Sequence, residues 1–161
     1  MNPQHATLLR RHLEAENGHD LDGTLATLHP QCVFADHATG QVWKGRDGAA
    51  AHYRQWWTTF DVVVSRGANQ SAGWLDDATY AAEATWSGTH VGEFLGVKPS
   101  GKAIILPFFV VVSFKDGLMD AERFYYDLAS LLRQIGPEVV GPIAALPFRD
   151  GRSRVPEPAS R

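Results

Sequence analysis

The dipeptide Asp116-Gly117 separates two β-rich runs, residues 102–114 and 118–126. Asp-Gly readily adopts the positive φ of a tight hairpin turn, so the two runs are committed to antiparallel pairing. Two more β-rich runs, 62–72 and 74–89, stand before them, and shorter ones at 32–36 and 41–43 form a second hairpin. The remaining segments have helical patterning. From Pro3 to about Glu16, Ala6, Leu8, Leu9, Leu13 and Ala15 recur among polar residues, which suits an amphipathic helix with proline in its first turn. Asp20 caps a second helix over 21–28 that His29-Pro30 ends. Gly45-Arg46-Asp47-Gly48 opens a third helix at about 49–59, and Asp127 caps a last one over 128–135 that Gly136-Pro137 stops. These elements make an α+β fold in which a curved antiparallel sheet wraps around the N-terminal helices.

A chain of 161 residues is long enough for one domain with a real core. We place that domain at residues 1–136. A tail follows at 137–161, with five of the nine prolines, and its end is expected to be disordered. Its stretch VVGPIAALPF is apolar enough to pack on the domain or on a partner subunit. Fifteen basic residues against 18 acidic ones give no basic surface, which argues against a nucleic-acid partner. No run approaches the roughly 20 apolar residues of a membrane span, and the N-terminus lacks a signal-peptide core, so a cytoplasmic location is expected. Cys32 is the lone cysteine and reads as a buried, inert thiol. The histidines show no metal-ligand spacing, and no glycine-rich phosphate loop or GxSxG elbow occurs, so neither a metal nor another cofactor is expected.

The stretch WSGTHVGEFLGVKPSGKAI (86–104) resembles the sGTHxGxFxGxxPTGr segment of SnoaL-like polyketide cyclases. FKDGLMDAERFYYDLASLLRQIG (114–136) is similar to the closing segment of that family, and HPQCVFADHATGQVWKGRDGAAAHY (29–53) matches more loosely. The resemblance covers about residues 5–136. It implies the cone-shaped fold shared with nuclear transport factor 2, ketosteroid isomerase and limonene epoxide hydrolase, in which the curled sheet leaves an internal apolar pocket and which is often found as a homodimer. The aldol cyclases of the family use an Asp on the strand before the closing helix, assisted by a His on the preceding strand. Aligned on the closing motif, those positions hold Phe124 and, approximately, Val110, which cannot move a proton. The aldol-cyclase mechanism therefore does not carry over.

If Phe124 and Val110 face the cavity, strand alternation puts Glu122 and Tyr126 on the first face and Phe108 and Val112 on the second. Tyr80, Ala82, Ala84 and Trp86 share one parity of the middle strand. A carboxylate in such an apolar place has its pKa raised and can act as acid or base. Glu122 is the best placed, although a surface Glu paired with Arg123 would explain it too. Asp127 matches the family motif, yet helix capping also accounts for it. Asp36 and His37 end the first strand near the expected mouth, where one could be a base or both could be turn chemistry. The candidate catalytic set is thus Asp36, His37, Glu122 and Asp127. The candidate substrate-contacting set is Tyr53, Trp56, Tyr80, Trp86, His90, Phe108, Val110, Phe124 and Tyr126. Core packing explains at least part of Tyr53, Trp56, Trp57 and Phe60, and a hairpin-lip hydrogen bond explains His90. The expected activity is cofactor-independent cyclisation or isomerisation of a hydrophobic polycyclic or terpenoid-like secondary metabolite. Epoxide opening and a non-catalytic small-molecule-binding domain are the alternatives. A carboxylate or His facing the void separates enzyme from binder.

Overall fold

The computed structural model describes residues 2–136, so the reading of 137–161 as a tail lies outside the described residues. The chain runs α1 (Pro3–Asn17), α2 (Leu21–Leu25), β1 (Leu28–Asp36), β2 (Val42–Lys44), α3 (Gly45–Phe60), β3 (Val63–Ser65), β4 (Ala72–Trp74), β5 (Thr79–Thr89), β6 (Ala103–Lys115), β7 (Leu118–Tyr126) and α4 (Leu128–Ile135). Among these residues no helix is long and apolar enough to cross a membrane.

Local chemistry sets most boundaries. The Asn2 side chain accepts the Gln4 N–H to start α1, and Asp20 does the same for Gly23 at the start of α2. The second helix is shorter than the sequence suggests. Leu28 pairs with Met119, and the Thr27 carbonyl accepts the Met119 N–H, so His29 and Pro30 fall inside β1. The single strand expected over 62–72 is also divided. β3 pairs with 85–87 of β5 and β4 with 80–82, and the intervening loop is held by Gln70, whose side chain contacts both Gly67 N and Thr85 Oγ1.

The sheet order is β2-β1-β7-β6-β5-β3, with β4 also on β5. Every junction is antiparallel except β1–β7, which is parallel, so the sheet is mixed, and its curved path leaves β2 and β3 as unjoined ends. Burial alternates along β6, with Ile104, Leu106, Phe108, Val110, Val112 and Phe114 inward and Ile105 and Phe109 outward. α3 lies in the concavity and buries Tyr53, Trp56 and Phe60 against the inner face.

α3 and β5 meet at a glycine. A Cβ at Gly88 would come within 2.3 Å of the Phe60 carbonyl oxygen and 2.9 Å of that of Asp61. Both are backbone atoms, so the helix end itself would have to move. Gly88→Ala is therefore expected to cost about 1–3 kcal/mol of stability, as overpacking of a tight contact does, and a lowered denaturation midpoint by circular dichroism checks it.

Candidate active site

The inner faces of β5, β6 and β7 enclose a cavity of about 120 Å3 that α1 and β3 close from the side. Its walls are Tyr80, Ala82, Ala84 and Trp86 from β5, Phe108, Val110 and Val112 from β6, and Phe124 from β7. Trp86 and Phe108 stack face to face, ring centres 3.9 Å apart. Behind them Trp56 stacks on Trp86 at 4.6 Å. Phe124 is flanked by Phe34, Trp86 and the stacked imidazole of His52. The positions that the family resemblance assigns to an acid/base pair are thus part of an apolar wall.

Polar groups converge at the end covered by α1. His12 and Glu16, one helical turn apart, line the cavity together with Glu122 of β7. His12 Nε2 lies 3.6 Å from Glu122 Oε1 and 3.9 Å from Glu16 Oε2. Its other contacts fix its tautomer. The Thr27 hydroxyl donates to the Thr24 carbonyl, so it accepts from His12 Nδ1 at 2.6 Å, and Nδ1 carries the hydrogen. Nε2 is then free to accept the Tyr53 hydroxyl at 3.0 Å. Burial pushes the His12 pKa down to about 4, so the ring is neutral at pH 7. Burial lifts Glu16 to about 7. Glu122 is raised well above the carboxylate range, first by burial and then by Glu16. Among the described residues no lysine or arginine forms an ion pair with these groups, so His12 and Glu122 are neutral neighbours rather than an ion pair. Burial, then Glu122 and Glu16, raises Tyr53 and keeps it a hydroxyl donor.

The other sequence candidates lie elsewhere. Asp36 is buried, but its carboxylate accepts Ala38 N, Thr39 N and the Tyr126 hydroxyl, which locks the β1–β2 turn. Burial followed by Asp36 raises the Tyr126 phenol. His37 is exposed and stacks on Tyr125 at 4.4 Å. Asp127 is exposed, accepts from Ser130 N and Ser130 Oγ at the start of α4, and has its pKa lowered by those bonds. His90 is fully buried away from the cavity. Its Nδ1 accepts Ser100 N, its backbone bridges Gly101 and Lys102, and its ring stacks on Phe60, so it fastens the β5–β6 connection. Tyr53 reaches the site through His12, while Trp56 and Tyr126 back the aromatic wall. Sequence reasoning missed His12 and Glu16. Their signal was present, because Leu9, His12, Leu13 and Glu16 follow helical spacing and all four line the cavity. Among the described residues no group of three or more His, Cys, Asp or Glu is arranged to hold a metal ion.

Solved structures share this architecture. A proposed polyketide cyclase of Silicibacter sp. TM1040 superposes with a TM-score of 0.73 at 22% identity, over 84% of this chain and 97% of its own. A protein of ketosteroid-isomerase-like fold from Catenulispora acidiphila, solved with trimethylamine, gives 0.67 at 18% identity, over 84% and 95%. AclR, a proposed hydroxylase of Streptomyces galilaeus, gives 0.69 at 21% identity, over 85% and 83%. At these identities the likeness establishes the fold. No curated protein matches the chain. The family profile of SnoaL-like polyketide cyclases matches residues 6–135, and the chain belongs to that family.

Proposed function

We propose that this protein is a cofactor-independent cyclase or isomerase that works through an enol or enolate, with Glu16 and Glu122 as its acid/base pair. One observation carries the reading: two largely buried carboxyl groups face an apolar cavity across a neutral histidine. A binding domain has no need of that arrangement, since desolvating two acids without a cation costs stability. The family membership supports the same class of chemistry.

In this mechanism the protonated Glu122 donates a hydrogen bond to a substrate carbonyl, and the Glu16 carboxylate removes a proton from the adjacent carbon. The C–H electron pair becomes the enol C=C, and the carbonyl π pair moves to oxygen, where the Glu122 proton meets it. Isomerisation of a β,γ-unsaturated ketone follows if Glu16 gives its proton to the γ carbon of the dienol while the dienol hydroxyl returns its proton to Glu122. Cyclisation follows if the enol carbon attacks a second carbonyl, whose oxygen takes the Glu16 proton while the enol hydroxyl returns its proton to Glu122. His12 adds no charge between the two acids, so Glu122 keeps its proton near neutrality. The hydrophobic polycyclic or terpenoid-like metabolite expected from the sequence meets a size limit here. A cavity of about 120 Å3 takes one ring, as an engineered apolar cavity of about 150 Å3 takes one benzene. The same two acids could open an epoxide, but among the described residues no ion pair or hydrogen bond joins them to a lysine or arginine, which favours enolisation.

The proton inventory gives a pH profile. Activity is expected to rise as Glu16 ionises through about pH 7 and to fall at higher pH as Glu122 loses its proton. Glu16→Gln and Glu122→Gln should each lower kcat by about 100-fold or more, the usual worth of a positioned acid or base. His37→Ala and Asp127→Asn should leave it essentially unchanged. Rates of α-hydrogen exchange of ketones in D2O, followed by NMR, check all four. Full activity in both Gln variants would overturn the assignment.

Stability supplies a test without substrate. The folded protein binds Glu16's proton more tightly than the unfolded chain, so that contribution is complete below pH 4.5 and lost as pH rises through about 7. His12, lowered to about 4, acts in the opposite sense between about 4 and its ordinary 6.5. Glu16→Gln removes the first effect and leaves the His12 effect in place. Its stability relative to the parent should therefore climb steadily from pH 4.5 to 7, as read from urea denaturation midpoints.

A further inference from the structure

We propose that the substrate presents one reacting ring to the cavity and carries a carboxylate that Arg66 binds at the mouth. The ketone part of this assignment rests on the acid/base reading above; the carboxylate contact is additional to it.

The size argument comes from the walls. Trp86 and Phe108 stack on each other from the paired strands β5 and β6, and Trp56 of α3 backs them, so the cavity has little room to widen on that side. A flat apolar ring fills about 120 Å3, and a fused system must leave its other rings outside. The cavity meets solvent at the edge where α1 and the end of β3 cover it, because Leu13, Ser65 and Arg66 are the exposed residues of its lining.

Arg66 is, among the described residues, the one lysine or arginine that lines this cavity. It is exposed, and no ion pair or hydrogen bond to another described residue engages its guanidinium. Its position is nonetheless anchored. Asn17, at the end of α1, donates to the Val64 carbonyl at 2.8 Å and accepts the Val64 N–H at 2.7 Å. This two-bond clamp fixes β3 beside the last turn of α1, and Arg66 follows two residues later. A guanidinium so placed can take a carboxylate by two parallel N–H···O bonds. A phosphate dianion fits less well, because Glu16 shares the mouth and ionises near pH 7. The chemistry at the two ends then orients the substrate: carbonyl toward Glu122, carboxylate toward Arg66, ring between Trp86 and the aliphatic wall.

The experiment uses 4-oxocyclohexanecarboxylate, its methyl ester, and a three-ring keto acid, with binding read by NMR line broadening and α-hydrogen exchange read in D2O. The acid should bind and exchange. Arg66→Ala should raise its KM about tenfold with kcat nearly unchanged, and Arg66→Lys should recover part of the loss. The ester should show the same KM in the parent and in Arg66→Ala. Equal KM for acid and ester in the parent overturns the carboxylate contact, and so does failure of the acid to bind. Equal protection of all three rings of the larger acid from a soluble paramagnetic agent, read by the same NMR line widths, overturns the size limit. Arg66-dependent binding without exchange supports the anchor and defeats the acid/base reading. Exchange that ignores Arg66 does the reverse.

Discussion

A single unpaired residue in the β6–β7 hairpin determines which side chains of β7 see the cavity. The Asp116-Gly117 turn sets Lys115 opposite Leu118 and Phe114 opposite Met119, with Phe114 and Met119 inward. Unbroken alternation from there would turn Ala121 and Arg123 inward and send Glu122 and Phe124 to the outer surface. Instead Ser113 pairs with Ala121, so Asp120 is an extra residue and the parity of β7 flips. Glu122 then faces Val112, Phe124 faces Val110 and Tyr126 faces Phe108, all on the concave side. The cavity, its acid and its aromatic wall all depend on this bulge.

Turning Glu122 inward creates an electrostatic problem that α1 resolves without adding charge. A buried carboxylate is usually stabilised by a cation, yet the nearest titratable group is a histidine whose two nitrogens are already engaged. The Thr24–Thr27–His12–Tyr53 chain fixes one tautomer and satisfies the ring, so protonating it would reverse the Tyr53 hydrogen bond and leave that hydroxyl hydrogen to find another acceptor. With no counter-ion, Glu122 stays neutral, and Glu16 holds its proton up to about pH 7. An arginine in place of His12 would ionise both acids and leave a salt bridge with little proton-transfer capacity near neutrality. The arrangement trades stability for a carboxyl that remains an acid at the pH where its neighbour becomes a base.

Much of this was legible in the sequence, for identifiable reasons. The hairpin, α1 and α4 each carry their own local signals: a turn dipeptide, helical spacing, a capping Asp with a stop after Ile135. The division of 62–74 into β3 and β4 was not, because both pieces are β-like and only their shared pairing with β5 separates them. Nor was the parallel β1–β7 junction, which depends on contacts between distant segments. In the site, Glu122 could be placed by parity with Phe124. Asp36 and Asp127 are short acids at the ends of elements, where catalysis and turn chemistry use the same residue types, and their hydrogen bonds are those of a turn and a cap. His12 and Glu16 were hidden for the opposite reason. Polar residues on an amphipathic helix read as its solvent face, and only the docking of α1 over the open side of the sheet reveals that Leu9, His12, Leu13 and Glu16 are its inner one.

The two halves of the cavity are chemically complementary, which bears on why Phe124 and Val110 stand where the family resemblance leads one to expect proton-transfer groups. His52 stacks on Phe124 with its Nδ1 unpartnered, and burial holds its pKa down to about 3. A carboxylate at position 124 would meet that imidazole and draw a proton onto it, putting charge in the middle of the aromatic wall. With Phe124 in place that end stays neutral and dry, and all ionisable capacity is confined to the α1 end. A dry wall strengthens hydrogen bonds made at the other end by keeping solvent out. In the proposed mechanism this placement decides which part of a substrate reacts: the atoms nearest α1 meet the two acids, and those against Trp86 and Phe124 are only held.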